Sequence, residues 1–412
     1  MNLFAYELKK IWNWRIVTVI AVFAALIFAA LMNEALRSYD SLSTQGIYGS
    51  YQNEMFERYG DTLEPEELAD YDIPGKKEAV IAELDEIIAA DFLFAKSNIH
   101  NYAEFEAFEE SHTENMSEAE RQAFHETVFQ MRENLSPNRA AQTTNEFHAS
   151  PRYRLQTLIA LENTYVNYAQ HLQPYIEHDE RPVVVRVATK ILQTHNTSLI
   201  RYDLLSSFSV YVAVVGVFST AASILLVAPM LVTDRIRKLN MIQYSSTTGR
   251  RMLKIQLLAA AASVFGLSAF LLAIAYIPFI AVRAGDYWNT PILSFSGYDL
   301  LLYDITFGQY ALILAGMILV LNVGAACFTF VLARFSSSMI TMLVKTVPVG
   351  IALASLSALS IAMAFSYNNL IFTMFFRGKI SMPEVLVCAA AAAAGVLMAF
   401  AVVRRERRVD VL

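Results

Sequence analysis

Two long uncharged runs joined by a short basic insert constrain this chain more than any other feature. Leu204 to Val232 and Ile255 to Val282 contain no Asp, Glu, Lys or Arg. Each is long enough to cross a bilayer, which takes about 20 helical residues. The insert between them, TDRIRKLNMIQYSSTTGRRMLK from Thr233 to Lys254, must therefore sit at one membrane face. It carries six bases (Arg235, Arg237, Lys238, Arg250, Arg251, Lys254) against one acid, Asp234. The positive-inside bias assigns so short and basic a loop to the cytoplasm, which sets the topology of the whole chain.

Four further apolar runs fit the same frame: Ile16 to Met32, Ile305 to Ala333, Met339 to Phe365 and Val385 to Val403. The expected fold is therefore an all-α membrane protein with six transmembrane helices and both ends inside. Charge supports that orientation. The short segments assigned to the cytoplasm hold 15 bases (3 before helix 1, 6 in the insert, 2 around the turn after helix 4, 4 in the tail), whereas the short outer loops hold three, Arg283, Arg377 and Lys379. A composition of 55% hydrophobic and 17% charged residues gives more apolar surface than a soluble domain can bury. The N-terminal run is long for the core of a signal peptide and has no clear small-x-small cleavage site before Asn33, so it reads as a retained first span. Ahead of it, Leu3, Phe4, Leu8 and Ile11 recur near helical spacing with Trp12 and Trp14 at the membrane boundary, the pattern of an interfacial helix.

The chain then divides into residues 1–33 (interfacial helix and first span), 34–203 (a hydrophilic insert) and 204–412 (five spans with the basic loop 233–254 and a basic tail). From Glu34 to Leu204 there are 30 acids and 14 bases, whereas the rest has 8 acids and 18 bases. Two different surroundings are implied, and helix 1 running outward makes 34–203 a large extracytoplasmic domain. Its signals are helical. Ser117 with Glu120 forms a capping box before EAERQAFHETVFQMREN, and Ser150-Pro151 supplies a cap and a first-turn proline to the next helix. The stretch 39–75, with four glycines and two prolines, is irregular with at most short helices. Residues Arg283 to Asp304 form an outer loop rich in interfacial aromatics, and SYNNLIFTMFFRGKISM is a polar-broken segment able to dip into the membrane.

Several chemistries are excluded by the residues themselves. There is no GxxxxGK[ST] phosphate loop, so nucleotide hydrolysis by this chain is not expected. His125-Glu126 begins an HExxH pattern, but position 129 is Phe where a zinc site needs its second His. The six runs contain no carboxylate, which argues against a proton relay. All seven histidines lie within 34–203 at spacings that match no metal-ligand pattern. Cys327 and Cys388 both lie in apolar runs, so no disulfide framework supports the outer insert. Energy for any transport must then come from another protein.

The ordered arrangement of a basic lead with ELKKIW, one span, a large outer insert, a second span, and an acid followed by SSTTGRRMLK entering the third span resembles the permease subunits of ABC-2 type ABC transporters. The resemblance covers the membrane part, about 240 of 412 residues. It implies a coupling helix in the loop between helices 2 and 3, seated on a separate cytoplasmic ABC ATPase, with Asp234, Ser245, Ser246, Thr247, Gly249, Arg250 and Lys254 as the matching coupling positions. It also implies a second permease subunit (homo- or heterodimer), ATP and Mg on the ATPase with no cofactor in this chain, and export of a peptide, antibiotic or lipid across the plasma membrane. Lipids are expected partners and nucleic acid is not.

Plainer roles stand beside these. Snorkelling bases occur at most inner helix ends, so Arg251 and Lys254 fit simple anchoring, as does Lys345 at the inner end of helix 5. The run Ala389 to Gly395 fits helix packing. A function of a different class, a non-transporting sensor or scaffold with a ligand-binding outer domain, is compatible with the same topology.

Overall fold

The computed structural model describes residues 3–37, 49–110, 117–136, 149–236, 249–296 and 299–406. Among them the chain is helical, with four isolated β-bridges and no strand ladder. A lead helix α1 (Leu3–Ile11) is followed by α2 (Trp14–Arg37), which includes a π-helical turn at Phe28–Met32. A helical domain comes next: α3 (Gly49–Tyr59), α4 (Pro65–Tyr71), α5 (Ile73–Ala90), α6 (Phe92–Lys96), α7 (Tyr102–Glu110), α8 (Glu118–Leu135), α9 (Pro151–Tyr165), α10 (Tyr168–Glu177) and α11 (Pro182–Thr194). Five long helices complete the bundle: α12 (Tyr202–Ile236), α13 (Gly249–Ala281), α14 (Phe307–Arg334), α15 (Met339–Ile361) and α16 (Pro383–Glu406). Six helices (α2 and α12 to α16) are long and apolar enough to cross a membrane, which makes this a multi-pass membrane protein.

The helical domain is built by water. Val80, Leu84 and Ile88 of α5 recur every fourth residue, and they meet Leu155, Leu158 and Leu161 of α9 in a buried core with Phe94, Phe105 and Met131. Burying each such side chain stabilises by about 1.5–3 kcal/mol. The expected capping box at Ser117 forms: its hydroxyl accepts from Glu120 N while the Glu120 carboxylate accepts from Ser117 N at 2.9 Å. The Ser117 hydroxyl, which donates to Glu120 Oε2 at 2.6 Å, and then the Ser117 N–H hold the Glu120 carboxyl below the usual carboxylate range. Ser150 departs from expectation. Proline does open α9, but the Ser150 hydroxyl turns to Ser136 Oγ at 3.1 Å and makes no cap bond.

The bundle is built by close approach instead, because lipid removes the hydrophobic drive between helices. α14 lies at its centre, against α12, α13, α15 and α16. A Cβ at Gly324 would stand 2.6 Å from Ala392 Cα, and one at Gly395 2.6 Å from Gly324 O, so the Ala389 to Gly395 run packs helix on helix as expected. In mid-bundle Asn322 donates to Ser219 and Ser268, each at 2.9 Å, and accepts from Thr220 at 2.8 Å, tying α12, α13 and α14 together. By contrast, only Ile20, Met32 and Leu36 of α2 are buried. Lys345 reaches out from α15 and donates to Phe335 O at 2.8 Å, closing the end of α14.

The bundle has two ends. One carries the connection between α12 and α13, and is the loop end below. At the other, the domain end, the helical domain joins the bundle through a dense set of bonds. Asn196 Nδ2 donates to Thr164 O and Phe295 O at 2.6 and 2.7 Å, and Lys190 pairs with Asp304 at 2.6 Å. The aromatics expected at an interface lie elsewhere: Tyr287, Phe295 and Tyr303 are buried, Tyr287 against Phe56 with ring centroids 4.3 Å apart. Their partners come from the helical domain and the α15–α16 link, which cover the loop. Tyr298 lies outside the described residues.

Candidate functional site at the neck of the basic loop

The connection between α12 and α13 was the organising feature of the sequence, and its neck is where charged side chains meet inside the protein. Asp234 occupies the last turns of α12 and is 4% exposed. Lys10 of α1 donates to Asp234 Oδ2, which also accepts from Gln256 Nε2 of α13 at 3.1 Å. Gln256 Nε2 contacts Glu7 Oε2 at 3.4 Å, and Lys10 lies 3.7 Å from the same carboxylate. One lysine therefore serves two buried acids. Burial pushes the Glu7 carboxyl above the usual range, Lys10 opposes that shift, and Asp234 adds to it.

Apolar packing fixes this polar cluster from both sides. Ile11 is buried with Ile20, Leu226, Met230, Ala259 and Ala260, with Phe4 and Leu8 packed against them, so the stripe expected of an interfacial helix is turned onto α12 and α13. Trp12 Nε1 donates to Ser263 Oγ of α13 at 3.1 Å. On the opposite side Leu231 and Val232 pack with Leu253 and Leu257, and with Phe330, Val402 and Val403. The two helix ends of the neck are thus packed together with α1, α14 and α16.

The expected coupling residues separate in this geometry. Asp234 is sealed in the neck by Lys10 rather than presented on the loop. Ser245, Ser246 and Thr247 lie outside the described residues. Gly249 and Arg250 are the first two residues of α13, and Lys254 is exposed little more than one turn further along. An exposed lysine at a helix end fits anchoring and docking equally. Sequence reading missed Glu7, Lys10 and Gln256. The signal was present for Glu7, which shares the stripe of Phe4, Leu8 and Ile11 at helical spacing and so had to face inward.

A further buried acid corrects the expectation of carboxylate-free spans. Glu384 stood one residue outside the apolar run, but α16 begins at Pro383, so Glu384 lies within the first turn of the sixth span and is fully buried. Among the described residues, no group of three or more His, Cys, Asp or Glu side chains is arranged to hold a metal. Comparison of the chain with protein-family models, with curated proteins and with solved structures found no match.

Proposed function

We propose that the chain is the permease subunit of an ABC-2 type ABC transporter, working as a dimer of such subunits with two ABC ATPases that bind ATP and Mg. In this reading the loop end and both termini are cytoplasmic, and residues 34–203 are extracytoplasmic at the plasma membrane. The exported molecule is amphipathic, of the peptide, antibiotic or lipid class. The observation that carries the reading is the locked neck. A push on the basic loop meets no slack at its base, because Lys10, Asp234 and Gln256 join α1, α12 and α13. Force from an ATPase seated on Ser245 to Lys254 would reach α14 and α16 through the packed side chains of Leu231, Val232, Leu253 and Leu257.

Orientation is tested by single cysteines in a chain lacking Cys327 and Cys388. Cysteines at Glu106 and Asn163 are expected to react with an impermeant thiol reagent from outside the cell, and one at Ser246 only after the membrane is opened. Labelling of Ser246 alone would invert the orientation. Partnership is tested by hydrolysis. The purified chain is expected to show no ATPase activity, because it has no phosphate loop. Turnover by the pure chain would end the permease reading.

One observation favours the sensor or scaffold alternative, namely that the helical domain has a core of its own around Leu84, Leu158 and Phe105. Co-purification of an ATPase with the full chain separates the two readings, since a sensor has no need of one.

A further inference from the structure

At the domain end of the bundle two fully buried acids, Asp299 and Glu384, pair with no cation among the described residues; Asp299 accepts from Leu300 N at 2.8 Å, whereas Glu384 is left without even that. Glu384 is 0% exposed, and neither carboxylate oxygen has a hydrogen-bond partner. The backbone N–H groups of Phe365 and of Glu384 itself act on the carboxyl without completing a hydrogen bond. The titratable groups that sense it are the phenols of Tyr303 and Tyr310, before and on α14, and the Cys388 thiol one turn along α16. On α15, Ser360 lies beside Cys388 and its hydroxyl lacks a hydrogen-bond partner, whereas Ser357 is turned toward Gly216 of α12. No Lys, Arg or His is among the groups acting on Glu384.

An ionised carboxylate in such a place is costly. Moving an isolated charge into a low-dielectric interior is so unfavourable that the group takes up a cation or a proton instead. The surroundings favour the proton. There is one carboxylate, no second acid, no imidazole, and among the described residues no cluster able to hold a metal. A neutral carboxyl needs only weak partners, which the neighbouring hydroxyls and amides can supply.

The link that closes over Glu384 is held in an unusual backbone conformation. Met363 and Phe365 on one side of it, and Met382 on the other, have φ of 55°, 66° and 47°. Left-handed backbone at bulky residues costs about 1–3 kcal/mol each and persists only where the surroundings impose it. Here the loop before α14 imposes it. Leu302 N donates to Phe365 O at 3.0 Å, Met382 N to Tyr303 Oη at 2.7 Å, and the rings of Tyr303 and Phe365 pack edge to face. The link beside the carboxyl is therefore pinned in a strained conformation.

We propose that Glu384 is a proton-binding site, and that the bound proton keeps the domain ends of α14, α15 and α16 closed. Closure is then strongest in acid and is lost as pH rises through the range in which the carboxyl ionises, because only the neutral form fits beneath the link. The inference does not rest on the transporter reading, and a chain with any function can carry such a site.

Cys388 is a built-in reporter. In full-length protein in lipid nanodiscs with Cys327→Ala, it is the one remaining thiol. Its modification by a membrane-permeant maleimide is followed from mildly acidic to mildly alkaline buffer, in this chain and with Glu384→Gln added. The ratio of the two rates cancels the thiol's own ionisation. It is expected to be near one in acid and to rise in alkali, by roughly tenfold for each pH unit over which the closed and open forms differ by one proton. A negative charge beside the thiol would by itself slow the reaction, so a rising ratio reports opening and not electrostatics. Identical profiles in the two chains overturn the proposal, as does a rate governed by sodium concentration and not by pH. Protonation itself is read by infrared difference spectroscopy, which needs no access to the group: a protonated-carboxyl carbonyl band is expected in acid, fading as pH rises and shifted in Glu384→Asp. Absence of that band in acid overturns the proposal even if the glutamine variant fails to fold.

Discussion

Lys10→Met is expected to undock α1 and destabilise the loop end by about 3–5 kcal/mol, the range for removing one partner from a buried charge pair. The magnitude follows from what remains. Glu7 and the Asp234 side chain, 1% and 6% exposed, would face each other with Gln256 as their shared donor. Two buried carboxylates without a cation repel and lack solvation. The sign of the pH dependence is fixed by Glu7. Its carboxyl is already pushed above the usual range in the folded state, so its favourable contribution is present in acid and is lost as pH rises through the folded value. The Lys10→Met defect should therefore shrink on acidification. With Trp14 and Trp288 replaced by Phe, Trp12 becomes the one tryptophan and reports docking through its bond to Ser263. Its emission should shift to the red in Lys10→Met and recover when Glu7→Gln and Asp234→Asn are added. Lys9→Met, an exposed position on the same helix, is the control and should change nothing. An equal shift in the Lys9 variant would mean that α1 is held by non-specific attraction to lipid. If the neck is the coupling element, the same variant should also separate ATP hydrolysis by a partner from transport.

What the sequence disclosed, and what it hid, divides along physical lines. Bilayer thickness is a one-dimensional constraint, so apolar runs of sufficient length located all six long helices, and the basic insert located the loop end. Local chemistry was equally legible where it is local, as at Ser117 and Glu120 or in the first-turn proline of α9. Tertiary pairing was not. Nothing near Asp234 in the chain announces Lys10, 224 residues away. The aromatics of the loop after α13 are amphipathic enough for an interface, and only the helical domain covering them makes Tyr287 and Phe295 buried. Glu384 escaped for a simpler reason. A charge scan ends a span at the first acid, whereas a helix begins where capping and Pro383 allow it.

The joint between the helical domain and the bundle should fail at Arg201 more readily than at any exposed pair. Arg201 is 1% exposed, among the largest fully buried side chains of the protein. Its guanidinium donates from Nε and Nη2 to the two oxygens of Asp203, at 3.0 and 2.5 Å, and from Nη1 to Asn53 Oδ1 at 3.0 Å. Tyr287 donates to the same Asn53 oxygen at 3.2 Å, so α3, the start of α12 and the loop after α13 converge on one planar fork. Five donors in fixed geometry suit arginine and no other residue. Arg201→Leu would remove the guanidinium from both Asp203 oxygens and from Asn53 Oδ1, which keeps its bond from Tyr287. The Asp203 side chain is 20% exposed and regains some water, which places the expected cost near the lower end of the range for a broken buried pair, about 3 kcal/mol. Arg201→Lys should recover less than half of that, because a single ammonium cannot bond both carboxylate oxygens and the amide along fixed directions. Arg58→Ala is the comparison. Its pair with Asp70 is 50% and 57% exposed, and exposed pairs contribute about 0–1 kcal/mol. The measurement is limited proteolysis of the intact protein in nanodiscs across a denaturant series, scoring release of the helical domain. Release at distinctly lower denaturant in Arg201→Leu, with Arg58→Ala unchanged, is the expected result. Equal behaviour of the two variants would show that the hydrogen bonds of Asn196 and the apolar contact of Tyr287 with Phe56 hold the joint without the arginine.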